Sequence, residues 1–189
     1  MRIVIDGNIG SGKTTQLNLF ERSGYLVKRE PLDLWPLAKF YSNRKRWALA
    51  LQIRILQTLQ PEDAVIYERS LISSRYVFWE HVKPMITPIE KQIYEDAYEK
   101  YKWQPDMYIY LHKTPEQAYA HIQHRGQTGD KSITLEYLRE LDDLYEKMLK
   151  TMSKVHRIST FDKSPAEIHQ EILSLLRVDE VHLPNDERS

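Results

Sequence analysis

Apolar and polar residues follow two rhythms along this chain of 189 residues. Five short β-prone runs, RIVID (2–6), YLVKR (25–29), AVIYE (64–68), DMYIYL (106–111) and KVHRIS (154–159), are separated by stretches with helical spacing. The alternation predicts an α/β domain with a parallel sheet, since parallel strands need helical crossovers. Helix starts are marked by Thr87-Pro88-Ile89-Glu90, Thr114-Pro115-Glu116-Gln117 and Ser164-Pro165-Ala166-Glu167. Each places a capping hydroxyl, a proline at the first helical position and a Glu or Gln three residues on, which together satisfy backbone N–H groups with no partner in the helix. After Thr134, the residues Leu138, Leu141, Tyr145, Met148 and Met152 recur every three or four positions. That stripe predicts a packed helix face, in the core or at a subunit interface, rather than a ligand site. No repeat or low-complexity linker intervenes, so residues 1–180 read as one domain and 181–189 as a frayed tail.

Composition narrows the classes. Lys and Arg total 27, as do Asp and Glu, so the formal net charge is zero. A protein acting chiefly on nucleic acid or an anionic membrane carries a basic excess. The run Arg44-Lys45-Arg46 is short and reads as a solvated helix face. There is no cysteine, which excludes disulfides, thiolate metal sites and thiol nucleophiles and fits a reducing compartment. No apolar stretch is long enough to span a membrane, and a strand signal from Arg2 leaves no room for a leader peptide. The expectation is a soluble, cytoplasmic protein.

The stretch GNIGSGKT (7–14) changes the picture most. Gly7, Gly12, Lys13 and Thr14 fit G-x-x-x-x-G-K-[ST], placed after a strand and before the apolar positions Leu17, Leu19 and Phe20. Glycines let backbone N–H groups turn inward around a phosphate, and the following helix adds the positive end of its dipole. Lys13 supplies a charge for the β- and γ-phosphates and Thr14 a hydroxyl for Mg²⁺. The expected ligand is ATP on residues 7–15.

The third β-prone run ends in Glu68-Arg69-Ser70 and the second in Glu30-Pro31. Ligands in open α/β sheets bind beyond the carboxyl ends of strands, so Glu30, Glu68 and Arg69 should face the crevice of the glycine-rich turn. One carboxylate there can take the proton of an attacking hydroxyl, another can hold Mg²⁺, and an arginine can neutralise transferring oxygens. No N-K-x-D signature of a guanine-specific switch is present.

Together, GNIGSGKTT, EPLDLW, YSNRKRWALALQ, ERSLISSRYVF and TPEQAYAHIQHR followed by LEYLREL resemble the deoxyribonucleoside kinase family, over Met1 to about Phe161. The resemblance implies a P-loop kinase fold, a five-stranded parallel sheet in the order 2-3-1-4-5 flanked by helices, and a lid at about 121–131. By resemblance, Gly7, Asn8, Ile9, Gly10, Ser11, Gly12, Lys13, Thr14 and Thr15 hold ATP. Thr160, Phe161 and Asp162 lie near its adenine, and Arg125 is the lid arginine. Glu30 accepts the 5′-hydroxyl proton, and Glu68 is the Mg²⁺-associated acid. Arg69 sits near the 5′-oxygen and the phosphoryl group. Trp35 lines the nucleoside pocket, Tyr41 and Asp130 bind the sugar 3′-hydroxyl, Gln52 reads the base edge and Phe78 stacks on the base. The family usually pairs into homodimers, and the tyrosines Tyr94, Tyr98 and Tyr101 are compatible either with that or with burial in one subunit.

The lid departs from the pattern: HIQHRGQTGDKS keeps only Arg125, with His121 and Gln127 where arginines are common and Asp130 in place of the usual Glu. At the base, the charged Arg and Asp common in purine-accepting or deoxycytidine-preferring members are Leu59 and Ser74 here. Ile55, one helical turn before Leu59, should share that wall. A small apolar wall suits a 5-methyl group, so the expected acceptor is a pyrimidine deoxynucleoside, thymidine first and deoxycytidine next.

Two rivals stand beside this reading. A thymidylate-type monophosphate kinase would share the P-loop and lid, but Glu30 opposes an acceptor phosphate. A non-catalytic ATP-binding module would bind nucleotide without an acceptor.

Overall fold

The computed structural model describes residues 1–62, 65–126 and 132–181. Five parallel strands, β1 (Ile3–Asp6), β2 (Val27–Lys28), β3 (Ile66–Glu68), β4 (Met107–His112) and β5 (His156–Ser159), form one sheet in the order β2-β3-β1-β4-β5. This is the sheet and the order that the resemblance implies. Nine helices surround it among the described residues: α1 (Lys13–Arg22), α2 (Leu37–Ser42), α3 (Arg44–Thr58), α4 (Leu71–Ser73), α5 (Glu80–Val82), α6 (Pro88–Tyr101), α7 (Pro115–Arg125), α8 (Leu135–Thr151) and α9 (Pro165–Val181). Among the described residues, no helix is long and apolar enough to cross a membrane.

Period-two alternation sends successive strand residues to opposite faces. Ile3 and Ile5 of β1 join Met107, Ile109 and Leu111 of β4 in a core beneath α1 and α9. Val4, Tyr108 and Tyr110 point the other way, into a second core with residues of α3, α6 and α8. Both faces are covered, as a parallel sheet requires. Asp6 follows the alternation to the α8 side, where its carboxylate is fully buried.

Local chemistry sets the helix starts. Thr87 and Thr114 form complete capping boxes with Glu90 and Gln117. Ser164 accepts from Glu167 N at 3.3 Å while its own N–H reaches Glu167 Oε2 at 2.7 Å. Each cap contributes about 1 kcal/mol. The stripe on α8 is buried through Leu138, Leu141, Tyr145 and Met148. Tyr94 and Tyr98 are buried within the chain, Tyr94 stacking on Trp79 with ring centroids 3.7 Å apart.

Two differences from the sequence reading bear on the site. The second strand keeps only Val27 and Lys28 of the expected 25–29: it is an edge strand pairing with β3 alone, and the chain beyond Lys28 turns toward the end of the sheet. Residues Ser74–Trp79 form a π-helical segment between α4 and α5, a stretch for which the sequence reading assigned no element. The expected lid stretch 127–131, with Asp130, and residues 182–189 of the expected tail lie outside the described residues.

Candidate active site

The glycine-rich turn joins β1 to α1. Gly7 has φ +150°, and a Cβ there would lie 2.5 Å from Leu111 O, so any side chain would drive the turn off β4. Gly12 caps α1 in the left-handed conformation, leaving the helix's first N–H groups turned to the loop. Asn8 ties the turn to α8, its Nδ2 donating to Leu138 O at 2.9 Å and its Oδ1 accepting from Ile9 N at 2.8 Å. Lys13 lies buried across the turn, with Nζ donating to Gly7 O and Asn8 O at 3.0 Å each. Burial, reinforced by the Arg69 charge and opposed by Glu30, Glu68 and Asp6, lowers its pKa to about 8.

At the end of β3, Arg69 takes φ +64°, an uncommon conformation for a branchless but bulky residue. Its backbone N–H bonds Ile5 O at 3.1 Å, and the bend aims the side chain back across the strand ends. The guanidinium is shared out. Nε meets Glu30 Oε1 at 2.8 Å, Nη1 meets Asp6 Oδ1 at 3.2 Å and donates to the Tyr145 hydroxyl, and its face lies over Phe78 at 4.7 Å. Asp6 is held in turn by Gly7 N at 2.7 Å, Tyr108 Oη at 2.6 Å and Tyr145 Oη at 2.9 Å. Against the cost of burial, Tyr145, Glu30, Asp6 and Glu68 hold the Arg69 pKa above its ordinary value, so the guanidinium stays charged. Glu68 is placed otherwise: its Oε1 accepts from Thr14 Oγ1 at 3.0 Å, next to the glycine-rich turn.

Glu30 is the least settled charge of this floor. Its side chain is 14% exposed, and burial raises its pKa to about 7, with Arg69 pulling down and Glu68 pushing up. A carboxylate with a pKa near neutrality takes up and gives away protons at working pH.

These groups form one end of a cavity of about 630 Å³. Lys13, Thr14, Thr15, Glu30, Glu68 and Arg69 line that end, and the turn contributes Ile9, Gly10 and Gly12. The far wall is Gln52 and Ile55 of α3, Leu59, and Ser74 and Phe78 of the π-helical segment, with Trp35 and Tyr41 at the side. π-Helical segments recur at functional sites; this one sets both Ser74 and Phe78 on the cavity. Trp35 Nε1 donates to Thr58 Oγ1 at 2.8 Å, which fixes the ring. Gln52 is 2% exposed, and its Oε1 is buried without a hydrogen-bond partner. A buried amide oxygen left so costs about 1–3 kcal/mol, and an N–H donor entering the cavity would relieve that cost. His121 and Arg125, from the end of α7 where the lid is expected, line the cavity too, with His121 Nδ1 3.0 Å from Gly10 O.

Thr160, Phe161 and Asp162 are not brought to this cavity. They form the turn after β5, where Thr160 N and Oγ1 donate to His112 O at 2.9 and 3.0 Å and Phe161 is 58% exposed. The side chains of Asn8 and Ser11 are buried in the turn.

Several residues escape the sequence reading. Asp6, Tyr108 and Tyr145 meet under Arg69 from β1, β4 and α8, and Tyr145 belongs to the stripe read as packing alone. Tyr137 and His81 line the cavity. His81 Nδ1 lies 3.2 Å from Glu140 Oε2 and its Nε2 is buried without a partner. Burial, with Arg44 adding to it against Glu140, lowers the His81 pKa. Arg44, read as solvated, lies 5.9 Å from the ring centre of Tyr41 and 5.2 Å from that of Tyr137. A hydroxyl on a period-3.6 stripe would have been the one available signal, for Tyr145.

A family model for deoxynucleoside kinase matches residues 3–177. A fowlpox virus protein named probable deoxycytidine kinase is 31% identical over 170 residues, 78% of this chain and 71% of its own length. Human mitochondrial thymidine kinase 2 is 31% identical over 169 residues, covering 78% of this chain and 63% of the human one. Among solved structures, the deoxyadenosine kinase of M. mycoides with bound dATP superposes with a TM-score of 0.77 over 94% of this chain and 100% of its own, at 22% identity, a likeness of fold.

Proposed function

The chain belongs to the deoxynucleoside kinase family, a family of phosphotransferases, and from that premise we propose that it moves the γ-phosphoryl group of ATP to the 5′-hydroxyl of a pyrimidine deoxynucleoside, thymidine before deoxycytidine. The observation that carries the reading is Glu30. It pairs with Arg69 at 2.8 Å and lines the same cavity as the glycine-rich turn, Gln52, Ile55, Leu59 and Phe78.

In this reading, Glu30 takes the 5′-hydroxyl proton as the oxygen attacks, and Arg69 Nε fixes which carboxylate oxygen faces the acceptor. Lys13, Arg69 and Arg125 offset charge on the transferring oxygens. Thr14 Oγ1 and Glu68 Oε1, 3.0 Å apart, are hard oxygen donors that fit Mg²⁺, and these two residues would hold it. When bound, the ion supplies neutralising charge to the phosphates. The base lies between Phe78 and Trp35 with its edge at Gln52, whose unpartnered oxygen takes an N–H donor. Ile55 and Leu59 receive a 5-methyl group. Tyr41 binds the sugar, with Asp130 as its expected partner. The turn at Thr160–Asp162, with Phe161 exposed, is the proposed seat of the donor adenine. Pairing of two chains is a separate expectation that sedimentation tests.

The test is a phosphoryl-transfer assay with labelled ATP over the four deoxynucleosides and thymidine monophosphate. Thymidine and deoxycytidine should lead. Preference for deoxyadenosine or deoxyguanosine overturns the base assignment. Preference for thymidine monophosphate overturns the acceptor, because Glu30 would then face a phosphate dianion. ATP binding with no acceptor turned over leaves only a nucleotide-binding module.

A further inference from the structure

A second group of side chains with ligand chemistry lies outside the cavity. His112 ends β4, and Asp142 and Glu146 sit one turn apart on α8, hence on one helix face. One ligand atom from each of the three lies within 4.8 Å of the others, and none of the three lines the nucleoside cavity. From this geometry we propose that His112, Asp142 and Glu146 bind one divalent transition-metal ion of the zinc class, pinning the end of β4 to the middle of α8 beside the turn that follows β5.

Tyr110 supplies an independent observation. Its ring is 0% exposed, and its hydroxyl has no hydrogen-bond partner. Burial apart, the charges acting most strongly on that hydroxyl are Asp142 and Glu146. Asp142 Oδ1 is likewise buried without a partner. The Tyr110 ring centre lies 6.3 Å from that of His112, so these two unpartnered atoms mark a polar space by the cluster, which a water held on the ion would serve.

The surroundings suit a cation of this class. Arg157 grips Glu146 through both oxygens, Nη2 to Oε1 at 2.8 Å and Nη1 to Oε2 at 3.0 Å, and lies 5.7 Å from the Tyr110 ring centre. Each carboxylate oxygen has a further lone pair, and carboxylates that ligate metals are commonly held by such outer partners. Two carboxylates against one guanidinium leave the cluster net negative. An imidazole beside two carboxylates selects zinc, cobalt or manganese over magnesium, which takes oxygen ligands. Zinc bonds of about 2.1 Å put tetrahedral ligand atoms about 3.4 Å apart, so movements of rotamer scale close the site. His112 O accepts both Thr160 N and Thr160 Oγ1, so an ion at His112 would stiffen the Thr160–Asp162 turn as well.

Equilibrium dialysis of the chelator-stripped full chain with Zn²⁺, in excess Mg²⁺, tests this. One zinc per chain is expected, with His112→Ala and Asp142→Asn each weakening it at least tenfold and Glu68→Gln leaving it unchanged. No zinc bound, zinc displaced by the magnesium, zinc lost in Glu68→Gln, or both cluster variants binding like wild type overturns the proposal; the last result places the metal on other histidines. Should the cluster variants fail to fold, NMR of histidine-labelled wild type decides among the seven histidines. A zinc-dependent change at the His112 ring supports the site, and a change elsewhere refutes it.

Discussion

At the floor of the cavity Asp6 and Arg69 are each held by several partners, whereas the far wall is nearly silent. Asp6 accepts from Gly7 N, Arg69, Tyr108 and Tyr145, and Arg69 passes the constraint on to Glu30 at 2.8 Å. The wall offers Ile55, Leu59 and the ring of Phe78, with Gln52 Oε1 buried and unpartnered. A network of buried charges holds its members to narrow positions, because each misplacement leaves a charge unpaired in low dielectric. Apolar contacts tolerate shifts at small cost. Rate should therefore reside in the floor and acceptor choice in the wall.

The largest expected effect is Glu30→Gln. The amide keeps the size but cannot take a proton, so kcat should fall by about 10²–10⁴ while the thymidine KM moves a few-fold at most. The pH profile sharpens the point. With its pKa raised to about 7 by burial, Glu30 gains a proton as pH falls through neutrality, and a protonated acid is no base. Wild-type kcat/KM should thus decline about tenfold per pH unit below that point, and the variant should show no such limb. A variant within tenfold of wild-type kcat would move the base elsewhere.

Tyr145→Phe comes next. It removes one hydroxyl from α8 and leaves Asp6 and Arg69 each short of a partner, at about 1–3 kcal/mol. Melting should drop by about 2–4 °C per kcal/mol in a chain of this size. As Arg69 and Glu30 loosen, kcat should fall about tenfold with a smaller change in KM. Normal kcat in a well-folded variant would reduce Tyr145 to the packing role that its helical stripe alone suggests.

The same contrast accounts for what could be read from the sequence. The glycine-rich turn and the capped helix starts are legible because their chemistry is local: Gly7 must lack a Cβ, and Thr87 and Thr114 meet partners three residues on. The strand order, by contrast, follows from the family resemblance. Glu30, Glu68 and Arg69 follow from one rule about strand ends, and the cavity gathers them. The layer beneath is barely legible, because Tyr145 meets Asp6 across 139 residues and only its hydroxyl on the α8 stripe hints at it. Ser74 and Phe78 reach the wall through a π-helical segment that apolar spacing does not betray. Arg44 reads as solvated because its run is all basic, yet it lies over the rings of Tyr41 and Tyr137.

On the wall, Leu59→Ala removes apolar bulk opposite the base. Loss of contact with one methyl group is worth about 1–3 kcal/mol, and a partly open wall sits at the lower end. The ratio of kcat/KM for thymidine over deoxycytidine should fall about tenfold, with kcat for either nearly unchanged. A fall in kcat for both substrates alike would mean that the wall also positions the reacting atoms, and the division between floor and wall would fail.

The smallest effect separates the two regions without any substitution. Burial and Arg69 lower Lys13 to about 8, so at pH 8 roughly half of the protein carries it neutral. Phosphate oxygens beside Nζ favour the ammonium, and binding ATP should therefore take up as much as about half a proton at pH 8. The uptake should vanish toward pH 6.5, where Lys13 is already charged. In the proposed reading thymidine meets the wall and Glu30; at pH 8 Glu30 is mostly ionised and His81, its pKa lowered by burial, is neutral. Its binding should exchange far less. Titration calorimetry in two buffers of different ionisation enthalpy reads the difference directly. Equal uptake for both ligands would place the titrating group between floor and wall, and the charge of Lys13 could not then be assigned to the phosphate end alone.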